Sequence, residues 1–130
     1  MKKKILVVDD SEVVRSMARD ALEQKGYDVI TASNGIEANR YLFRQDKPDV
    51  IVLDVMIPML NGDKIAKLIR DNKHTMNIPI LLLSSKPEEE LQRLVIESGA
   101  DGFIQKPFSS QTMVGKVNET IRRRSADAGT

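Results

Sequence analysis

Residues 49–54 read Asp49-Val50-Ile51-Val52-Leu53-Asp54, an unbroken apolar run that stops at an acid. A run without polar alternation, rich in β-branched residues, is the pattern of a strand buried on both faces. Pro48 ends whatever comes before it. Outward from this strand the same pattern recurs. Ile5-Leu6-Val7-Val8 leads into Asp9-Asp10, and Ile80 to Leu83 leads into Ser84-Ser85. Val29 to Ala32 reads as another strand, and Phe103-Ile104 as a short last one before Lys106-Pro107.

Amphipathic stretches separate these runs. Val14, Met17, Ala18, Ala21 and Leu22 fall at helical spacing, with Gly26 placed to end the helix. Asn34 and Glu37 form a capping-box pattern for a helix that buries Ile36, Tyr41 and Leu42. A loop through Pro58, Asn61 and Gly62 leads to a helix carrying Ile65, Leu68 and Ile69. Pro87 suits the first turn of a helix with Leu91, Leu94 and Val95 inside and Gly99 after its end. The last helix is expected from about Ser109 to Arg124, with Met113, Val114, Val117 and Ile121 inward. Residues 1–124 then form one domain and residues 125–130 a disordered tail. Arg122-Arg123-Arg124 reads as a complement to the negative end of that helix, the methionines as core filler, and His74 as an exposed loop residue.

Five βα units in series mean an α/β fold, a parallel sheet covered by helices on both faces. Right-handed crossovers make a doubly wound sheet the leading topology. Its functional crevice lies at the carboxyl ends of the strands.

Composition narrows the function. The 130 residues carry 20 basic and 19 acidic side chains, so no global field recruits nucleic acid or an anionic membrane. The absence of cysteine excludes disulfides and thiolate chemistry and suits a reducing cytoplasm. Lys2-Lys3-Lys4 precedes too short an apolar stretch for a signal peptide, and no run approaches the length of a membrane span. The expectation is a soluble cytoplasmic domain.

Four of the five strand ends deliver polar groups to one rim: Asp9 and Asp10, Asp54, Ser84, and Lys106. Three carboxylates packed together repel one another unless a cation joins them. Mg²⁺ meets that need with oxygen ligands, and Mn²⁺ is an acceptable substitute. Mg²⁺ and Lys106 together balance the three acids, leaving a site able to accept an anionic phosphoryl group.

These residues carry a resemblance. ILVVDD at 5–10, DVIVLDVMIPMLNG at 49–62, IPILLLSS at 78–85 and GADGFIQKPF at 99–108 resemble, in this order, the receiver domain of two-component response regulators. The match covers roughly residues 3 to 123. It implies a flavodoxin-like (βα)5 fold with strand order 2-1-3-4-5, as in the single-domain chemotaxis regulators. It implies that Asp54 accepts a phosphoryl group from a histidine kinase, a histidine phosphotransfer protein or a small phosphodonor. Asp9, Asp10, Asp54 and the backbone carbonyl of Met56 would hold Mg²⁺, while Ser84 and Lys106 would bind phosphoryl oxygens. Pro107 would follow a cis peptide bond, and Gly62 would close the loop after Asp54. Ser84 and Phe103 would switch the face made by the fourth helix, fifth strand and fifth helix. A downstream partner, an output domain or a second copy would read that face, with no direct contact to nucleic acid or membrane.

Three positions depart from the commoner family pattern. Ser84 stands where threonine is usual and keeps the hydroxyl. Phe103 stands where tyrosine is frequent and loses the phenolic hydrogen bond, and it also fits plain core. Met56 and Lys86 occupy positions that tune phosphoryl lifetime, and an apolar Met56 cannot orient water.

Rival readings meet specific obstacles. A flavin-binding protein needs a hydroxyl- and amide-rich phosphate loop, where this chain has Asp9-Asp10-Ser11-Glu12. An aspartyl phosphatase needs a second acid near the nucleophile, which Asp54-Val55-Met56 does not supply. A nucleotide switch needs a Walker A motif. A degenerate receiver acting only as a binding module is opposed by the complete set of site residues.

Overall fold

β3 (Val50–Asp54) lies in the middle of the sheet and is buried along its whole length, as its unbroken apolar run requires. The computed structural model describes residues 2–128. Around β3 stand β1 (Lys4–Val8), β2 (Asp28–Ala32), β4 (Ile80–Ser84) and β5 (Gly102–Gln105), all parallel, in the order β2-β1-β3-β4-β5. This is the expected doubly wound flavodoxin-like arrangement.

The helices are α1 (Glu12–Glu23), α2 (Gly35–Leu42), α3 (Gly62–Asp71), α4 (Glu88–Ser98) and α5 (Ser110–Ala128). Alternation along each strand feeds two cores. Ile5, Val7, Val50, Val52, Leu81, Leu83 and Ile104 pack under α1 and α5. Leu6, Val8, Ile51, Leu53, Ile80 and Leu82 pack under α2, α3 and α4. The order reverses at β1, so β1 and β3 sit side by side with Val8 opposite Leu53. Asp9 and Asp54 therefore emerge next to each other.

Local signals set the helix ends. Ser11 caps α1, its hydroxyl accepting from Val14 N at 3.3 Å. Asn34 Oδ1 accepts from Glu37 N at 2.8 Å, which is half of the expected capping box. The reciprocal bond shifts by one residue: Glu37 Oε2 accepts from the Ser33 hydroxyl at 2.6 Å and from Ser33 N at 3.3 Å. That pairing lowers the Glu37 pKa. Pro87 is the cap before α4 rather than part of its first turn, and Gly99 ends that helix at φ +80°.

Several expectations need correction. Met17, Ile36 and Leu68 fall at helical spacing but are exposed, and Tyr41 is only half-buried. Of the methionines among the described residues, Met113 fills the core, whereas Met17, Met56, Met59 and Met76 are exposed. α5 continues past Arg124 to Ala128, so the arginines do not stand at its end. The rest of the expected tail, residues 129–130, lies outside the described residues.

Arg124 instead joins a clamp at the amino-terminal end of the sheet. Asp101, just before β5, accepts from Ile80 N at 2.7 Å, Arg70 Nη2 at 2.8 Å and Arg124 Nη2 at 2.9 Å. Arg70 also donates to the carbonyls of Gly99 (2.8 Å) and Ile78 (2.7 Å). Two guanidiniums and one carboxylate thus tie α3, α5 and the approaches to β4 and β5.

Candidate metal and phosphoryl site at the carboxyl ends of the strands

Asp9 follows β1 and is fully buried, Asp54 ends β3 and is 3% exposed, and Asp10 is open to solvent. Carboxylate oxygens of all three lie within 4.8 Å of one another. Lys106, one residue beyond β5, reaches back with Nζ 2.8 Å from Asp9 Oδ2 and 3.5 Å from Asp54 Oδ2. The peptide bond after Lys106 is cis, as expected at Pro107.

Backbone donors take only part of the acceptor capacity. Asp9 Oδ1 accepts from Ser11 N at 2.9 Å, and Asp54 Oδ1 accepts from Met56 N at 3.1 Å. Asp9 Oδ2 is buried and accepts no aligned hydrogen bond; the Lys106 ammonium lies close enough to pair by charge but off the bonding direction. A buried carboxylate oxygen left in this state suits a cation.

The electrostatics agree. Burial pushes the Asp54 carboxyl up from 3.8 to about 6, and the neighbouring Asp9 charge adds to the rise. The Met56 N–H and Lys106 oppose that rise without cancelling it. Burial alone would lower the Lys106 pKa, yet the close approach of its ammonium to the Asp9 carboxylate and its attraction to Asp54 outweigh burial and raise it. Lys106 stays charged while Asp54 resists ionising, so the acids are under-compensated by protein groups alone. Donor set and charge deficit both fit a hard divalent ion held by carboxylates.

Ser84 and Phe103 occupy the other side of the sheet. Ser84 ends β4 in step with Ile80 and Leu82, which face α3 and α4. Its hydroxyl is buried and accepts from Lys86 N at 3.0 Å. Phe103 pairs in register with Leu82 and is half-buried against the same core. Lys86 is turned away, its ammonium 3.2 Å from Glu90.

Gly62 opens α3 at a close approach. A Cβ there would lie 2.8 Å from the Asp54 carbonyl carbon and closer still to its oxygen. Its own N–H donates to Val55 O at 2.9 Å, closing the loop as expected.

The strand-end pattern did not reveal Arg15. From one turn into α1 it donates Nη1 to the Asp9 carbonyl at 2.8 Å. Nothing local in the sequence marks it, because the contact depends on how α1 crosses β1.

Residues 5–118 match the family profile of the response regulator receiver domain. The chain belongs to that family. Among curated relatives, this receiver is 46% identical over 123 residues to the alkaline phosphatase synthesis transcriptional regulatory protein PhoP of Bacillus subtilis strain 168. It is 38% identical over 121 residues to the phosphate regulon transcriptional regulatory protein PhoB of Pseudomonas aeruginosa. These matches take in 95% and 93% of the receiver but 50% and 52% of the relatives. It thus spans about half the length of either protein. Among solved structures, the chemotaxis response regulator CheY4 of Vibrio cholerae superposes with a TM-score of 0.85 at 31% identity, covering 92% of this chain and 99% of that one. A putative response regulator from Chloroflexus aurantiacus gives 0.88 at 30% identity, covering 95% and 100%.

Proposed function

We propose that this receiver is a phosphorylatable switch in which Asp54 accepts a phosphoryl group from a phosphohistidine on a histidine kinase or histidine phosphotransfer protein. The observation that carries the reading is the buried Asp54 carboxylate, crowded by Asp9 and Asp10 and faced by the Lys106 ammonium. An Asp54 oxygen forms the new bond to phosphorus as the bond from phosphorus to the donor nitrogen breaks. The imidazole leaves with that electron pair and takes up a proton. Lys106 stabilises charge on one phosphoryl oxygen and the Ser84 hydroxyl bonds another.

Mg²⁺, held by Asp9, Asp10, Asp54 and the Met56 carbonyl, would neutralise the incoming phosphoryl charge. Asp9 and Asp10 remain unmodified, so their contribution is binding and orientation. Drawing Ser84 toward the acyl phosphate displaces the start of the β4–α4 loop, and Phe103 on the same side moves into the space released. The face of α4, β5 and α5 changes, to be read by a downstream protein, an output domain or a second copy, and on α4 the apolar Ile96 is 82% exposed. The setting is the cytoplasm, and this domain makes no direct contact with nucleic acid. Among the described residues, no helix is long and apolar enough to cross a membrane.

The test is intact mass after incubation with acetyl phosphate or phosphoramidate and Mg²⁺. One phosphoryl group is expected on the wild type and none on Asp54→Ala. Labelling of both proteins, or of neither, refutes the assignment.

A further inference from the structure

The helices over the second core are unevenly spaced. α3 leans on α4, whereas α2 rests on β1 and β2, and an open groove of about 470 Å³ separates α2 from α3. Its floor is apolar, with Leu42, Ile65 and Ile69. Its rim carries Ile36, Phe43, Met59, Leu60 and Leu68, five of the ten large apolar side chains left exposed among the described residues. Met59 stands there at φ +75°, a conformation that costs a non-glycine residue energy. So much exposed apolar surface in one place marks an interaction site. The Thr75 hydroxyl, among the lining groups, is already spent on Ile69 O at 2.7 Å.

The charges beside the groove indicate what covers it. Lys64, Leu68 and Asp71 lie on one exposed stripe of α3, and neither charged residue of the stripe has an ion pair among the described residues. Asp63 in the first turn and Arg70 in the last suit the dipole of α3. Lys64 and Asp71 stand against it, a cation near the positive end and an anion near the negative one. The stripe is its own complement when reversed. Two α3 helices laid antiparallel, with the two-fold axis between residues 67 and 68, bring Lys64 of each opposite Asp71 of the other. Each misplaced charge then meets an opposite charge and the favourable end of the facing helix.

We propose that two copies of this chain pair through the α2–α3 face, each α3 antiparallel to the other and each Leu68 seated in the other's groove. The contact is isologous and closes as a dimer. It forms without phosphorylation, because neither the groove nor the stripe includes a residue of the acidic site. It is separate from the α4-β5-α5 face and independent of whether Asp54 accepts phosphate.

Sedimentation over a concentration series without phosphodonor tests the pairing. The wild type is expected to dimerise reversibly, and Leu68→Glu to weaken the dimer by at least about tenfold. Lys64→Asp and Asp71→Lys should each weaken it, while the double reversal should recover it to within about threefold of wild type. Ile96→Glu, on α4, should leave it unchanged. Circular dichroism melts establish that each surface variant is folded. A wild type that stays monomeric to its solubility limit overturns the proposal. So does a dimer that survives Leu68→Glu, one that is lost in Ile96→Glu, or a double reversal no better than the single variants.

Discussion

Asp54→Asn should make the metal-free protein more stable at neutral and alkaline pH. The Asp54 carboxyl is raised from 3.8 to about 6, mainly by burial and then by Asp9. The folded protein therefore holds the proton more tightly than the unfolded chain. Stability from the neutral carboxyl is fully present below pH 3.8 and is lost as pH rises through about 6. Two pH units correspond to roughly 3 kcal/mol. Asparagine keeps an oxygen for the Met56 N–H but gives up the attraction to Lys106, so the net gain is about 1–3 kcal/mol, or roughly 3–10 °C in melting temperature. Thermal unfolding followed by circular dichroism in EDTA, at pH 8 and again at pH 5, measures it. The gain should be full at pH 8 and visibly smaller at pH 5. Adding Mg²⁺ should raise the wild-type melting temperature and narrow the difference. A variant no more stable than wild type at pH 8, or a gain unchanged at pH 5, refutes the electrostatic reasoning.

Gly62→Ala should cost at least about 2 kcal/mol, because its Cβ meets Asp54 backbone rather than a yielding side chain; urea unfolding reads this, and a loss below about 0.5 kcal/mol contradicts it. Arg70→Ala should cost about 2–4 kcal/mol, since it strips donors from three carbonyls (Gly99, Met76 and Ile78) and from the Asp101 carboxylate; a negligible change in the urea midpoint would show the clamp to be idle. Ser84→Ala should retain phosphorylation of Asp54 while suppressing the change at the α4-β5-α5 face, seen as loss of phosphodonor-induced amide shifts around Phe103; unchanged shifts refute the switch. Met56, apolar and 60% exposed, offers no group to orient water, so the acyl phosphate should persist for minutes or longer in Mg²⁺. Decay within seconds contradicts that role.

The strands were readable because burial on both faces leaves little choice of residue. Runs such as Val50–Leu53 and Ile5–Val8 announced themselves, and the acids after them could be placed on one rim by topology alone. Helix faces were less legible. Periodicity gives the direction of an apolar stripe but not how much of it a neighbour covers. Ile36 and Leu68 are on the right helices at plausible spacing, yet they stay exposed because α2 and α3 stand apart. Arg124 misled for another reason: a basic run near a chain end resembles a helix complement, and its partner Asp101 is brought to it only by folding. Arg15 shows the same limit within the site. Its bond to the Asp9 carbonyl joins residues whose meeting is set by a crossing angle.

The Asp101 clamp holds β4 and β5 at only one end. Ile80 and Asp101 are fastened together at the foot of these strands, while Ser84 and Lys106 sit at the opposite lip. Beyond the clamp the strands are joined by neutral backbone bonds, among them Lys106 N to the Ser84 carbonyl at 2.7 Å and Val55 N to the Leu83 carbonyl at 3.0 Å, so the lip is tied less strongly than the charged foot. Movement of Ser84 would thus be spent on the loop and helix beside the lip instead of dissipating as a slide of the whole strand. Loosening the pin, as in Asp101→Ala, should let the strand slip and shrink the response at α4 even with Asp54, Ser84 and Phe103 all in place.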